Sequence, residues 1–358
     1  ISLGYNLSHS DYSYSMSLDE IEALKKSAYF TTTELEAAFR YDLILPVTDT
    51  QLNIEEPNIV AHDVTLISGH NIGEAIDPLV KMAGSTLTTE DRLWLFSASR
   101  ADVRLYDDRV VIERNDDLDI EATGDVIARA ANHIYLGSET DVSLVELTAG
   151  QDATLKSSGA IFAVGGGAGV AGTDINLEAA GGGIGGAQSK LLVEVAEGGT
   201  LSARAEGDIH LRADKNDLPI AEIYTPGLLS IDAPNSQIGD ADGRDNDEVL
   251  AGSVNLRGSN ITGQSGAAFD IRLTEPGGRV NALTSGLLNL SLSGQDLQVG
   301  RIGSTGSTAS VTALDSGLNP VADAGLDPQG EKTHLESAEG LTLDIAGGIH
   351  GGNEWTAF

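Results

Sequence analysis

The sequence lacks cysteine altogether and contains few aromatic and few basic residues. Without cysteine, neither a disulfide scaffold nor a thiolate metal site can form. The 358 residues include only 6 Phe, 8 Tyr and 2 Trp, less aromatic volume than a globular core of this size normally uses. The 21 Lys and Arg are outnumbered by 54 Asp and Glu, which gives a formal net charge of −33. Because phosphate binding needs a positive surface, we expect no nucleic-acid partner.

Two further absences concern membranes and targeting. The longest apolar run, from Ile161 to Gly172, is too short and too rich in Gly to span a bilayer, so we expect no direct membrane insertion. The opening residues ISLGYNLSHS contain no initiator Met and neither the basic nor the apolar region of a signal peptide. We therefore expect the chain to be part of a longer precursor.

What the sequence does contain is a short repeated unit, most regular between Asp119 and Gly186. Each copy has a Gly or polar turn, then an Asp in most copies, then residues that alternate between apolar and polar. Successive copies are Asp125–Ala128, His133–Leu136, Asp141–Leu144, Asp152–Leu155 and Asp174–Leu177. No copy is long enough to bury its apolar face alone, so we predict that the copies stack into a solenoid.

The spacing of the strands, about 8–12 residues, would also fit an antiparallel sandwich or barrel. Two features favour the solenoid: hairpin dipeptides such as Asn-Gly are nearly missing, and a Gly-rich tag around a single Ile recurs. The tag is found at Gly181–Gly185, Gln237–Gly239, Asn260–Gly263 and Gly347–Gly351. We predict that the Ile fills the core at a tight corner, where Gly lets the backbone adopt a positive φ.

The N-terminal part does not fit the repeat. Capping boxes at Ser17 and Thr31 predict short helices over 17–28 and 32–40, and a third helix is predicted over 89–99. We therefore predict a mixed α/β region over 1–100 that flanks the first rungs. Residues 101–358 are predicted to form the solenoid, with loop insertions at 239–248 and 317–337.

The runs GDVIARAANHIYLGS, AGQDATLKSSGAI, GTDINLEAAGGGIGG and EGDIHLRAD resemble the repeat of filamentous-haemagglutinin-like exoproteins. Units of the form G-x-D-[IV]-x-L-x-A-x-G-x-I follow one another in that family, and the resemblance covers about 119–350 of this chain. It implies an all-β fold, a right-handed parallel β-helix, in a very large secreted or surface-attached bacterial protein. It implies no catalytic residues, and the helical insertions near the N-terminus depart from it.

One loop suggests a metal site. Asp240, Asp242, Asp245 and Asp247 surround Gly243, and carboxylates at such spacing can converge on a calcium ion, which prefers several oxygen ligands from a flexible loop. The spacing matches neither an EF-hand nor the nonapeptide calcium repeat. A solvated acidic loop is therefore the alternative hypothesis.

Catalysis is the less favoured alternative to a structural role. Parallel β-helices also host polysaccharide lyases and hydrolases, which need carboxylates gathered on one exposed face. The pairs Asp107/Asp108 and Asp116/Asp117 fall at predicted turns instead, and we predict no catalytic residues. His133 and His210 are interpreted as turn-facing substitutes for the repeat's Asp rather than as ligands.

These observations predict a structural or adhesive rod segment at the bacterial cell surface or outside the cell. Its expected partners are other segments of the parent chain or neighbouring copies, and glycan or cell-surface receptors. No cofactor is predicted apart from the calcium hypothesis. The alternative is a carbohydrate-active β-helix enzyme.

Overall fold

The computed structural model describes residues 57–73, 79–82, 101–105, 109–114, 118–241, 248–295, 297–313, 317–320, 334–347 and 349. The predicted helices at 17–28, 32–40 and 89–99 lie outside these residues. The chain divides into two compact units, one with residues 1–56 and 74–117 and the other with residues 57–73 and 118–358. No helix among the described residues has the length and apolar character needed to cross a membrane.

The regular secondary structure of the described residues is almost entirely β-strand. The strands are β1 Ile59–Ala61, β2 Val64–Ser68, β3 Leu79–Met82, β4 Ala101–Leu105, β5 Arg109–Arg114, β6 Leu118–Ala122, β7 Asp125–Ala130, β8 Ile134–Ser138, β9 Val142–Ala149, β10 Ala153–Ser157, β11 Ile161–Ala163, β12 Gly169–Gly172, β13 Ile175–Ala179, β14 Leu191–Val195, β15 Leu201–Ala205, β16 Ile209–Arg212, β17 Leu218–Ala233, β18 Ile238–Asp240, β19 Val249–Gly258, β20 Ile261–Thr262, β21 Phe269–Leu273, β22 Arg279–Thr284, β23 Leu288–Ser293, β24 Gln298–Ser304, β25 Thr308–Ala313, β26 Asn319–Pro320, β27 Leu335–Ser337 and β28 Gly340–Ile345. One 3₁₀ turn spans Gln264–Gly266.

The strands of the second unit stack into two parallel ladders. The first ladder runs through β1, β6, β8, β10, β13, β15, the start of β17, the start of β19, β21, β23, β25 and β28. The second runs through β2, β7, β9, β12, β14, β16, the ends of β17 and β19, β22, β24 and β27. The short strands β11, β18, β20 and β26 are not part of either list and pair in parallel with strands of neighbouring rungs. The other strands of this unit alternate between the two ladders along the chain, so each rung contributes one strand to each. This confirms the parallel β-helix and excludes the antiparallel sandwich.

Aliphatic side chains from both ladders fill a single interior. Alternate residues of each strand point inward, as in β10, where Ala153 and Leu155 are fully buried between half-buried neighbours. In the first ladder Leu136, Leu155, Leu177 and Ala203 stack in register. One continuous cluster of buried hydrophobic residues extends from Val64 to Leu335. Short strands are therefore stabilised by the rungs above and below them.

Three of the four Gly-rich tags bury their Ile as predicted, whereas Ile349 of the fourth tag is 48% exposed, and most of the Gly residues do not behave as predicted. Ile184, Ile238 and Ile261 are fully buried, and Ile184 bridges the rungs of Ile161 and Ile209. Among Gly181, Gly182, Gly183 and Gly185, only Gly185 has a positive φ, of 66°. A Cβ at the other three would collide with the preceding or following rung. Glycine is therefore required at these positions mainly because stacked turns approach each other closely, and seldom because the backbone adopts a positive φ.

A separate antiparallel sheet belongs to the first unit. In it β5 pairs with β3 on one side and with β4 on the other. Strands β4 and β5 lie on either side of residues 106–108. They fall within residues 101–358, for which the sequence predicts the parallel β-helix, but they pair antiparallel, and residues 57–73 belong with the β-helix instead.

Candidate functional site

In several copies of the repeat, the Asp connects one rung to the next. Its carboxylate oxygen accepts a hydrogen bond from a backbone N–H in the following rung. Asp141 accepts from Ala160 N at 2.8 Å, and Asp208 accepts from Leu228 N at the same distance. The same bond is made by Asp63 to Asp125, Asp174 to Thr200, and Asp217 to Gln237, and by the Asn residues 58, 260 and 281. We call this bond the inter-rung latch.

The latch explains the Gly that precedes many repeat units. Gly227 precedes Leu228, the donor to Asp208, and a Cβ at residue 227 would lie 2.5 Å from Asp208 Oδ1. Gly159 and Gly124 hold the equivalent positions opposite the carboxylates of Asp141 and Asp63. Gly and Asp of the motif therefore belong to one contact between successive rungs. The stacking of rungs accounts for the repeated Asp and Gly, and this explanation requires no chemical reaction.

The two histidines singled out in the sequence lie in different positions. His133 precedes β8 as Asp152 precedes β10, and its Nδ1 lies 3.0 Å from Asp152 Oδ2. His210 is the second residue of β16 and is buried, so its interpretation as a turn residue is wrong. Asp208 occupies the motif position there. Burial lowers the pKa of His210, and Lys190 adds to that effect while Asp208 opposes it.

The predicted calcium loop is only partly within the described residues. Asp240 ends β18, half-buried, whereas Asp242, Asp245 and Asp247 lie outside the described residues, as do the pairs Asp107/Asp108 and Asp116/Asp117. Within the part of the chain that is described, no three His, Asp or Glu side chains lie close enough together to hold a metal ion. The calcium hypothesis therefore stays a prediction.

The structure does gather carboxylates on the outside of the first ladder. Glu222, Glu248 and Asp270 directly precede Ile223, Val249 and Ile271, which pair in register in three successive rungs. These three residues, which we call the carboxylate row, are followed in the next rung by Ser291, the partner of Asp270. Glu222 and Asp270 are half-buried, and Glu248 is 1% exposed.

Glu248 is the unusual member of the carboxylate row. Its Oε2 accepts the backbone N–H of Asp270 at 2.7 Å, so it serves as a latch with a longer side chain. Its Oε1 accepts no hydrogen bond from the described residues. Burial, together with the nearby charges of Asp270 and Asp240, raises the pKa of Glu248 to about 8. At neutral pH this carboxyl group is therefore mostly protonated, and it can donate as well as accept a hydrogen bond.

The sequence analysis missed the carboxylate row. In the sequence, Glu248 ends the acidic loop and directly precedes an apolar strand. That second feature, which it shares with the Asp residues of the repeat, is what indicates a latch. Glu222 and Asp270 carried no such signal, because their alignment depends on the number of residues in each turn, which varies. Comparison of the chain with family models, curated proteins and solved structures finds no match.

Proposed function

We propose that this chain is a structural segment of a giant secreted or cell-surface bacterial protein, where it forms a rod that presents loops for contact with a surface or a cell. The observation that supports this role is the continuous stack of rungs, filled by aliphatic residues and joined by inter-rung latches. Such a stack is rigid because every backbone ladder and every latch links neighbouring rungs. The partners proposed for it are further segments of the parent chain, neighbouring copies, and glycan or cell-surface receptors.

Two measurements test this proposal. Negative-stain electron microscopy of the purified chain is expected to show thin, straight particles. Antibodies raised against the chain and applied to intact cells of the source organism are expected to label the cell surface or material released from it. Labelling that appears only after the cells are permeabilised would contradict the proposed location.

A carbohydrate-active enzyme is the second candidate, and the carboxylate row is the observation that favours it. Glycosidases pair a protonated carboxylic acid with an ionised carboxylate, and the raised pKa of Glu248 would supply the protonated member of such a pair. Against it, Glu248 is 1% exposed and holds the next rung through Oε2. A general acid must reach the glycosidic oxygen, so the structural role is the better supported of the two.

Turnover assays separate the two candidates. The intact chain is incubated with neutral and acidic polysaccharides, and released reducing ends and unsaturated products are measured. The structural role predicts no turnover by the wild type. Turnover that Glu248→Gln abolishes, but that exposed Glu206→Gln leaves unchanged, would establish the enzyme instead.

A further inference from the structure

The segment from residue 74 to residue 117 leaves the first ladder and rejoins it within a single strand. Before the segment, Ile72 pairs with Ile134. After it, Leu118 pairs with Leu136, two residues further along the same strand, β8. The strand therefore advances by two positions while the residue numbers rise from 72 to 118.

Gly73 occupies the one position in between. A Cβ on Gly73 would lie 2.3 Å from the carbonyl oxygen of Tyr135 and 3.2 Å from the backbone nitrogen of Leu118. Tyr135 directly precedes the β8 partner of Leu118. Gly73 and Leu118 are thus neighbours in the rung, and the 44 residues from 74 to 117 are an addition that leaves the register unchanged.

The β-helix is continuous across this join. All five residues of β2 pair in register with β7, and Asn58 accepts the N–H of Asp119 at 2.9 Å as an inter-rung latch. Ile72 and Ile120, on the two sides of the join, are both buried in the common core. Ladder bonds, a latch and core packing therefore connect these rungs without any contribution from the added segment.

The added segment has a sheet of its own. In the middle strand β5, Ile112 pairs with Leu79 of β3 on one side and with Val103 of β4 on the other. Among the described residues, none of these three strands pairs with a strand of the β-helix. The segment belongs instead to the first compact unit, together with residues 1–56.

A smaller insertion returns to the first ladder on the same line. Ile220 pairs with Asp240 and Ile223 pairs with Val249, so eight residues of one rung stand opposite two of the rung before. Val249 lies in the same register column as Leu118, the residue at which the large insertion rejoins the ladder. Insertions into a solenoid commonly gather on the face that contacts a partner.

We infer that residues 74–117 are a side module added to a rung that is complete without them, and that this module is the part of the rod presented to the surroundings. The stacked rungs are its carrier. The presentation of the module rests on the proposed function, whereas the division into module and carrier does not.

Excision of the module tests the division. Residues 74–117 are replaced by a Gly-Gly linker between Gly73 and Leu118, and the chain is expected to keep its β-sheet circular dichroism and to melt within about 3 °C of the wild type. The matched control removes the same number of residues, 134–177, with the same linker. It joins strand positions that are out of register, and it is expected to melt at least about 10 °C lower. An excised chain that is unfolded, or that melts as low as the control, overturns the inference.

A point variant tests the division without a deletion. Ile112→Pro removes a backbone N–H from the middle strand of the module. Amide hydrogen exchange is expected to accelerate at least about tenfold in β3, β4 and β5 and to stay unchanged in β6 and β8. Equal acceleration in β6 and β8 would show that the β-helix depends on the module.

Depleted antibodies test the presentation. A serum raised against the full chain is passed over the immobilised excised chain, which leaves the antibodies that recognise the module. These are expected to label intact cells of the source organism. Labelling by the complete serum but not by the depleted serum overturns the presentation and leaves the proposed function standing. If both sera label only permeabilised cells, the proposed location fails, and the presentation of the module fails with it.

Discussion

Asp208 of one rung occupies the space that a side chain at Gly227 of the next rung would need. Its Oδ1 accepts the N–H of Leu228 at 2.8 Å and lies 2.5 Å from the position of a Cβ on residue 227. The next nearest atom, the Asp208 amide nitrogen, is 3.3 Å away, so the clash is mainly with the carboxylate. The latch and the glycine therefore depend on each other.

A double-mutant cycle measures that dependence. Asp208→Ala is expected to lower the free energy of unfolding by about 1 kcal/mol, because the Leu228 amide loses its acceptor. Gly227→Ala is expected to cost more, because it displaces the carboxylate and breaks the same bond. The double variant should then lose clearly less than the two single losses added together. Urea denaturation of the four proteins gives the coupling energy.

Gly159 provides the matched comparison. A Cβ there would meet Asp141 Oδ1 and also lie 2.8 Å from the Asp141 backbone nitrogen, which cannot move away easily. The pair Asp141→Ala and Gly159→Ala should therefore show less relief than the pair at 208 and 227. Additive losses at Asp208 and Gly227 would contradict the inter-rung latch.

The raised pKa of Glu248 predicts how the stability of the folded chain changes with pH. Its pKa is raised to about 8 in the folded chain, above the ordinary value of 4.5. The folded state therefore binds this proton more tightly than the unfolded state does. The stabilisation linked to it is complete below about pH 4.5 and is lost as the pH rises through about 8.

Glu248→Gln should remove that dependence, because the amide keeps an acceptor for the Asp270 N–H and does not titrate. The variant is expected to melt higher than the wild type at about pH 8.5 and to lose that advantage at about pH 5. Melting curves across this range make the comparison, with the exposed Glu206→Gln as control. A difference between the wild type and the variant that stays constant with pH would show that the buried carboxyl group is not responsible.

The architecture could be predicted from sequence because its signal is local. Each copy of the unit carries its own alternation and turn, and the copies from Asp125 to Leu177 are the strands β7, β8, β9, β10 and β13. The first half of β17 is not predicted by the repeat pattern, and Pro219 and Pro226 are residues that disfavour a strand. Pro226 is accommodated because the register shifts between Thr225 and Leu228. The pattern also misses β12, whose sequence GVAG reads as a turn.

The rows of charged residues on the outside of the ladders could not be predicted, because they depend on the register between rungs. The paired positions Leu136, Leu155, Leu177 and Ala203 are 19, 22 and 26 residues apart. With turns of unequal length, no fixed period predicts that Arg212, Asp232 and Arg257 align. The latch was predictable in principle at copies such as Asp141 and Asp208, because the Asp before the strand and the Gly in the next copy are both visible in the sequence.

The two arginine–glutamate pairs, Arg301–Glu336 and Arg129–Glu146, are expected to differ in strength. Arg301 and Glu336 are each 16% exposed, whereas Arg129 and Glu146 are 49% and 33% exposed. Arg301→Ala should destabilise the chain by about 3 kcal/mol, because a partly buried carboxylate loses its partner. Arg129→Ala should have a much smaller effect that shrinks further at high salt, because solvent screens the pair. Urea midpoints at low and high salt test this, and an equal loss at the two sites would refute it.

Replacing the isoleucines of the Gly-rich tags should also have unequal effects on stability, because the side chains are buried to different extents. Ile184 is fully buried between the rungs of Ile161 and Ile209, whereas Ile349 is 48% exposed although it also bridges a neighbouring residue, Leu318. Ile184→Ala leaves a cavity that the surrounding rungs cannot close, and it is expected to cost about 2–5 kcal/mol. Ile349→Ala should cost less than about 1 kcal/mol, because water already reaches the side chain. Thermal and urea unfolding of both variants measures the difference. The variant Ile184→Val leaves a smaller cavity and is expected to lower the free energy of unfolding by about 0.5–1.5 kcal/mol. If the variants at 184 and 349 lost the same stability, the tag would act through its glycines alone, and the single isoleucine would have no role in holding the corner of the rung.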